Sequence, residues 1–246
     1  MSAGSERAGG AGRERAAPVA TPTRAVVAAL IRKDLRSELR TGDTLPAMAL
    51  FSISTFVLFH FGLDARSLEG DMAAGVFWVT MLFAAVLAVN RQFVAEREEG
   101  GFDGFLLAPV DRTSLFVAKA TVLFCFLAAV EVFVVAAFAI LLLGPSPWPG
   151  LPSLVLVLGL ADVGIAVIGT LVAALAVQTR ARDLLVPLLA LPLSVPLVIA
   201  GARACEPLLA ADGAGPLEPR WLLILGLYDL VFGLLAYAIF DFLLEE

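Results

Sequence analysis

The chain has 246 residues, of which 60% are hydrophobic and 16% are charged. A soluble protein of this size carries about 25% charged residues, and the apolar runs in this sequence are far longer than a buried strand of roughly 4–8 residues. The composition therefore excludes a soluble domain and indicates a membrane protein.

Net charge and cysteine content exclude two further classes. The formal net charge of −6 leaves no excess of basic residues to neutralise phosphates, so nucleic acid is excluded as a partner. The two cysteines, Cys125 and Cys205, lie far apart in sequence and cannot form a disulfide framework or a CxxC metal site. No bound metal is expected.

The segment before the first apolar run divides into two parts. Residues 1–23 are rich in Ala, Gly and Ser, lack the apolar core of a signal peptide, and are predicted to form a disordered extension. Residues 24–44 repeat apolar side chains at intervals of four, while basic residues occupy the other faces. The apolar positions are Val27, Ile31, Leu35 and Leu39. This pattern predicts an amphipathic helix in the cytoplasmic membrane interface, with its basic side toward lipid headgroups; partner binding is the alternative.

Six apolar runs approach the ~20 residues that a helix needs to cross a hydrocarbon core of about 30 Å. They are 45–62, 72–89, 120–143, 151–177, 184–202 and 221–240. Runs of this length exclude barrel strands, which need about ten residues. The sequence therefore predicts an all-α, polytopic membrane protein whose residues 45–246 form a permease domain of six transmembrane helices.

Basic residues separate the predicted connections into two groups. Segments 1–44, 90–119, 178–183 and 241–246 together contain 14 of the 17 Lys and Arg residues, and the alternating connections contain the other three. Cytoplasmic loops retain Lys and Arg, whereas exported loops are depleted of them. We therefore predict that both termini are cytoplasmic.

The predicted connection 90–119 is much longer than two neighbouring helices require. A short polar loop would be enough to join two spans, yet this connection places Phe102, Phe105, Leu106 and Leu107 on the cytoplasmic side. Exposed apolar side chains in a cluster usually mark a surface that a partner covers. The segment is therefore interpreted as a docking element, with a self-packed re-entrant loop as the alternative.

The same segment resembles the ATPase-coupling element of type-2 ABC exporter permeases. From Glu96 to Arg112 it contains acidic residues, glycines and a Leu-Leu-x-Pro ending, as that element does. By this resemblance, the residues that meet the ATPase are Glu96, Glu98, Glu99, Gly100, Phe105, Leu106, Leu107 and Pro109.

Two further segments narrow the resemblance to the CcmB-type haem exporter B permeases of cytochrome c maturation. One is the Gly-Val-Phe-Trp-Val run at 75–79, and the other contains Pro187, Pro192 and Pro196 in the fifth apolar run. Because proline removes a backbone donor and bends a helix, this spacing predicts a broken fifth span. An irregular span packed against its neighbours is the alternative.

The resemblance implies the permease subunit of an ABC complex in the bacterial inner membrane. It implies a separate cytoplasmic ATPase, further membrane subunits of a cytochrome c maturation complex, and a second permease copy. Haem is implied as the transported substrate, with no cofactor bound permanently. The resemblance leaves open whether haem passes through this subunit or is released by the complex from a periplasmic chaperone.

Three carboxylates lie inside the predicted spans, namely Glu131, Asp162 and Asp229. An intramembrane carboxylate costs about 2.5 kcal/mol or more at mid-depth and usually faces protein or water. One interpretation is a polar lining or a proton-linked path. The other is that the three groups are protonated or hydrogen-bonded to neighbouring hydroxyls such as those of Thr170 and Tyr228.

His60 is the only histidine, at the predicted exported end of the first span between two phenylalanines. Histidine and methionine are common axial ligands of haem iron, so His60 is a candidate haem ligand. A packed residue at the end of a helix is the alternative interpretation of this position.

No Walker lysine motif, GxSxG elbow or HExxH motif occurs in the sequence. The chain is therefore expected to be a non-catalytic subunit, powered by a partner that hydrolyses ATP. Three other functions fit the same sequence: a type-2 permease for a different amphipathic substrate such as a lipid or drug, a proton-coupled secondary transporter, and a scaffold of a cytochrome assembly complex.

Overall fold

The computed structural model describes residues 23–63, 67–92, 112–144, 148–177, 179, 181–210 and 215–243. Within these ranges the chain is helical, apart from short connections. Its α-helices are α1 (Thr23–Thr41), α2 (Thr44–Gly62), α3 (Gly70–Arg91), α4 (Arg112–Leu141), α5 (Leu151–Val177), α6 (Arg182–Cys205) and α7 (Pro219–Leu243). Two 3₁₀ turns, Trp148–Gly150 and Glu206–Leu209, precede α5 and follow α6.

The six helices α2 to α7 are each long and apolar enough to cross a membrane. The predicted all-α fold with six spans is therefore confirmed, and α1 precedes the first span as expected. The orientation of the termini stays a prediction. One helix differs usefully from its predicted run: α4 begins at Arg112 rather than at residue 120, so Lys119 is inside this helix and not in a loop.

The centre of the bundle consists of α3 and α5, whose residues are mostly buried, while α2 and α7 have few buried residues. Helix α3 packs against α2 and α6, and α5 packs against α4, α6 and α7. Small side chains let α3 approach its neighbours closely. Its buried alanines are Ala73, Ala74, Ala84, Ala85 and Ala88.

A glycine sets the closest approach between α3 and α6. A Cβ atom placed on Gly201 would lie 2.4 Å from Cζ2 of Trp78, because the indole ring rests directly on the α6 backbone at this point. Trp78 is fully buried there. The contact fixes α6 against the central helix and leaves no room for a larger residue at position 201.

Helix α6 remains α-helical through all three of its prolines, Pro187, Pro192 and Pro196. The prediction that these prolines break the span is therefore wrong, and the packed-span alternative fits better. Each proline removes one N–H donor, but α6 is held between α3, α5 and α7, which keep the remaining helical turns in place. The hydroxyl of Tyr228 in α7 donates a hydrogen bond to the main-chain carbonyl of Leu193, between two of the prolines.

Helix α1 packs against α4 rather than only lying beside the bundle. Three of the four predicted apolar positions are half-buried, whereas Leu39 is 81% exposed and lies outside the face that packs against α4. The acidic residues Asp34 and Glu38 occupy the packed face instead. Counting apolar residues alone missed them, because the packed face is partly polar. The predicted position of α1 in the membrane interface stays a prediction.

The link between α1 and α2 is a tight, capped corner. Gly42 ends α1 with a φ of +63°, a left-handed conformation that glycine adopts without strain. The Glu38 carboxylate then accepts hydrogen bonds from the backbone N–H groups of Thr44 (2.7 Å) and Leu45 (2.9 Å). A negative charge at these first free N–H groups stabilises the start of α2, so α1 and α2 are firmly joined.

The connection between α2 and α3 meets the end of α4. The backbone N–H of Leu68 donates to the carbonyl of Leu142 (2.7 Å), and the N–H of Gly144 donates to the carbonyl of Leu68 (3.1 Å). These two connections therefore share one end of the bundle. The end of α3 and the start of α4 lie at the opposite end, as an alternating path through a membrane requires.

Candidate functional site

The predicted ATPase-coupling segment lies outside the described residues. This applies to Glu96, Glu98, Glu99, Gly100, Phe105, Leu106, Leu107 and Pro109. Both of its flanks are described: Gln92 directly after α3, and α4 from Arg112 onward. The roles of these eight residues therefore stay a prediction, while the structure describes how the two flanks are held.

The two flanks are held together by reciprocal hydrogen bonds. The Gln92 side-chain amide donates to the main-chain carbonyl of Lys119 (2.9 Å), and the Lys119 ammonium donates to the main-chain carbonyl of Gln92 (3.3 Å). Each side chain thus binds the backbone of the other residue. The end of α3 and the first turns of α4 are fixed to one another on both sides of residues 93–111.

Two further helices join this contact. The Gln92 amide also donates to the hydroxyl of Thr170 in α5 (2.8 Å), and the Lys119 ammonium forms an ion pair with the Asp34 carboxylate in α1 (2.8 Å). The side chain of Lys119 is only 5% exposed and that of Asp34 is 13% exposed. We call Asp34, Gln92, Lys119 and Thr170 the clamp.

One sequence feature indicates the clamp, namely the position of Lys119. This residue belongs to the predicted cytoplasmic connection 90–119, but it is a single cation within an apolar stretch, between Ala118 and Ala120. An isolated cation among apolar residues usually faces protein and has a partner. The partner Asp34 lies in a different helix, which no local pattern reveals.

A second polar site lies deeper in the bundle, between α4 and α5. The side chains of Glu131 and Asp162 are both buried, Asp162 with an exposed fraction of 2%, and the two carboxyl groups are neighbours. Two neighbouring carboxylates repel each other when both are ionised and have no donor to offer each other. We call Glu131 and Asp162 the carboxyl pair.

The carboxyl pair is enclosed by groups from the other central helices. The thiol of Cys205, at the end of α6, and the Trp78 indole of α3 are both buried in the core of the bundle. Within the described residues, Oδ2 of Asp162 and Nε1 of Trp78 have no hydrogen-bond partner that meets ordinary geometric criteria. The pair is thus a partly satisfied polar site in an otherwise apolar core.

Asp229 lies apart from the carboxyl pair. Its Oδ1 atom approaches Gly164 of α5 so closely that a Cβ there would be 2.5 Å away. Gly164 and Asp162 are two positions apart on a helix, so they lie on different faces of α5. The structure therefore brings two of the three predicted intramembrane carboxylates together and separates the third.

The hydroxyls proposed as partners of these carboxylates have other roles. Thr170 accepts its hydrogen bond from Gln92, and Tyr228 donates to the Leu193 carbonyl. Within the described residues, Oδ2 of Asp162 and Oδ1 of Asp229 have no hydrogen-bond partner, so the interpretation in which Thr170 and Tyr228 satisfy the carboxylates is not supported for these two atoms. The polar neighbour of Asp162 is Glu131.

His60 lies at the end of α2, where its Nδ1–H donates to the main-chain carbonyl of Leu141 at the end of α4 (2.6 Å). Its ring meets Phe61 edge to face, with the centroids 5.1 Å apart. Satisfying the last carbonyls of a helix is a common structural role for histidine. The contact also fixes the tautomer, because the proton is on Nδ1 and leaves Nε2 as the nitrogen with a lone pair.

Comparison with known protein families identifies the family of this chain. The sequence matches the family described as "CcmB protein" over residues 25–241, a range that contains α1, the coupling segment and nearly all of the six-helix bundle. The chain belongs to the CcmB family. Its expected membership, first suggested by the coupling segment and the 75–79 run, is confirmed.

Curated relatives of this CcmB-family chain carry the name "Heme exporter protein B". The protein from Rhodobacter capsulatus is 33% identical over 176 residues, which cover 71% of this chain and 80% of the relative. The one from Bradyrhizobium diazoefficiens is 31% identical over 214 residues, covering 86% and 95%. The one from Paracoccus denitrificans is 33% identical over 191 residues, covering 77% and 85%.

Proposed function

We propose that this CcmB-family chain is the permease subunit of an ATP-driven complex for haem delivery to c-type cytochromes in the bacterial inner membrane. The observation that carries the proposal is the family match over residues 25–241, together with curated relatives named "Heme exporter protein B". Six helices able to cross a membrane are the architecture that a permease requires.

The energy for this function comes from a separate ATPase subunit. The sequence contains no nucleotide-binding motif of its own, and the acidic and apolar residues of segment 96–109 supply a surface for a partner. Further membrane subunits of a cytochrome c maturation complex and a second copy of this chain complete the proposed assembly. Both termini then lie on the ATPase side.

Haem is a substrate of this complex and not a resident cofactor of the chain. The candidate for a direct contact is His60, because its Nδ1 proton is held by the Leu141 carbonyl and Nε2 is oriented away from that bond. A histidine whose other nitrogen donates to a carbonyl is a common arrangement at haem and metal sites. We expect His60→Leu to lower haem delivery if Nε2 contacts haem. Unchanged haem delivery in this variant would mean that the contact of His60 with Leu141 is only structural.

Deletion of the gene tests the proposal directly. Cells without the gene are expected to lose covalent haem attachment to periplasmic c-type cytochromes, measured by haem staining of separated membrane and periplasmic proteins. Expression of the wild-type chain from a plasmid restores the signal. Normal c-type cytochromes in the deletion strain would instead favour export of another amphipathic substrate, such as a lipid or drug.

The carboxyl pair favours one alternative function, a proton-coupled secondary transporter. Buried carboxyl groups that share a proton are a recurrent feature of proton pathways through membranes. The two functions differ in their energy source. Haem attachment that persists without the ATPase but stops when the proton gradient is dissipated would favour the secondary transporter and contradict the ABC permease.

A further inference from the structure

We propose that the clamp of Asp34, Gln92, Lys119 and Thr170 transmits movement of the coupling segment to α1 and α5, so that ATP hydrolysis is linked to transport. This inference rests on the proposed function, because it needs an ATPase docked on segment 93–111. The clamp residues themselves are positioning residues and contact neither ATP nor haem in this account.

The clamp holds both flanks of the coupling segment together. Gln92 is the last described residue before residues 93–111, and Lys119 lies in the second turn of the helix that follows them. Their reciprocal bonds, 2.9 Å and 3.3 Å, keep the two flanks at a fixed separation. A force on the segment therefore moves the flanks together as one unit.

The two flanks, held together in this way, are also bound to two other helices. The 2.8 Å ion pair between Lys119 and Asp34 joins them to α1, and the 2.8 Å hydrogen bond from Gln92 joins them to Thr170 in α5. Lys119 and Thr170 are buried, so the bonds are shielded from water and from competing ions.

Helix α1 transmits the movement to α2. Four residues after Asp34, Glu38 binds the first backbone N–H groups of α2. When the Lys119–Asp34 ion pair carries α1 along with α4, α1 therefore pulls on the start of α2, the first helix able to cross the membrane. On the other side, Thr170 lies on α5, the central helix that also holds Asp162 of the carboxyl pair.

These contacts define a physical path of packed and hydrogen-bonded groups, the kind of connection through which two sites influence each other. A contact needed only for folding would affect the amount of complex and all of its activities equally. A transmitting contact affects transport while ATP hydrolysis continues. The ratio of the two activities therefore distinguishes the two roles.

The decisive variant is the double substitution Asp34→Asn with Lys119→Met. It removes both charges together and leaves no unpaired buried charge, so the protein is expected to fold. A second variant, Gln92→Leu, removes the two bonds that the side-chain amide donates to the Lys119 carbonyl and the Thr170 hydroxyl, and it keeps the ion pair and the bond from Lys119 to the main-chain carbonyl of residue 92. The matched control is Arg32→Met, which removes a charge from an exposed position of α1.

Each variant is purified through a tag with its partners, and ATP hydrolysis is measured alongside covalent haem attachment to c-type cytochromes in the same cells. We expect the double variant and Gln92→Leu to retain the ATPase and its hydrolysis, while haem attachment per ATP falls about fivefold or more. Arg32→Met is expected to behave like the wild type.

Unchanged haem attachment in both clamp variants would overturn the proposal, and so would a parallel fall of complex, hydrolysis and attachment. A wild-type chain that brings down no ATPase, or cells that attach haem without it, would refute the proposed function itself. If only the clamp proposal is wrong, the wild type shows ATP-dependent haem attachment and the clamp variants show the same attachment. The two failures are therefore distinguishable.

Discussion

Helices α4 and α5 carry two polar sites that differ in nearly every respect. At one end of the bundle, Lys119 and Thr170 belong to the clamp, and deeper inside, Glu131 and Asp162 form the carboxyl pair. With a rise of 1.5 Å per residue, the two sites lie about 18 Å apart along α4. The same two helices thus hold both sites in one rigid unit.

The clamp unites unlike groups, whereas the carboxyl pair unites like ones. In the clamp a cation meets an anion and amide donors meet carbonyl acceptors, so every bond forms with both charges in place. In the carboxyl pair two groups of the same kind lie side by side, and neither offers the other a donor while both are ionised. The clamp is therefore suited to holding helices together, whereas the carboxyl pair provides no bond between opposite charges.

The largest effect on stability is expected from Lys119→Met alone. Within the described residues, this change leaves Asp34 with only its longer ion pair to the exposed Lys33 (3.6 Å) and removes one bond to the Gln92 carbonyl. Breaking a buried ion pair on one side costs several kcal/mol, and the small exposure of Asp34 reduces this to about 2 kcal/mol. Chemical unfolding in detergent micelles measures the free energy of unfolding.

The double variant Asp34→Asn with Lys119→Met is the matched control for that measurement. Because no unpaired charge remains, it is expected to be more stable than the single variant by about 1 kcal/mol. A double variant less stable than Lys119→Met alone would contradict this account of the ion pair and would mean that Asp34 has another role.

A smaller effect is expected at the carboxyl pair. Asp162→Leu removes the polar neighbour of Glu131 and leaves Glu131 as a buried carboxyl group in apolar surroundings. Loss of a polar partner costs a buried group about 1–2 kcal/mol. Asp162→Asn serves as the control, since an amide can donate to Glu131. Equal stability of the Leu and Asn variants would contradict a stabilising contact between Glu131 and residue 162.

The smallest effect is expected at Asp229, the carboxylate that lies apart from the carboxyl pair. Its Oδ1 atom has no hydrogen-bond partner among the described residues, and the side chain is only half-buried. Asp229→Leu is therefore expected to change the free energy of unfolding by no more than about 0.5 kcal/mol. A loss as large as that of Asp162→Leu would reveal a partner for Asp229 and end the distinction.

The sequence predicted the elements that depend on local composition. Apolar length identified the six spans to within a few residues at most of their ends, and the motif at 75–79, with the segment from Glu96, identified the family. Both the apolar runs and the family motifs are local features, formed by residues that are consecutive in sequence. The start of α4 was misplaced because Lys119 and the polar residues before it reduce local hydropathy without ending the helix.

The pairing of polar groups could not be predicted, since it depends on how helices meet. Asp34 and Lys119 are far apart in sequence, and nothing local distinguishes Asp34 from the other charged residues of α1. The same holds for Asp162, whose polar neighbour Glu131 lies in a different helix. The prolines of α6 do not interrupt the helix, and this outcome depends on the neighbouring helices that pack against it rather than on its own sequence.

The central claim is that a separate ATPase drives this permease through its coupling segment, and affinity purification of the tagged chain tests it most directly. The wild type is expected to bring down an ATPase and further membrane subunits. The double variant Glu99→Ala with Phe105→Ala is expected to lose the ATPase but keep the membrane subunits, whereas Arg32→Met keeps both. Full retention of the ATPase by the double variant would contradict the account.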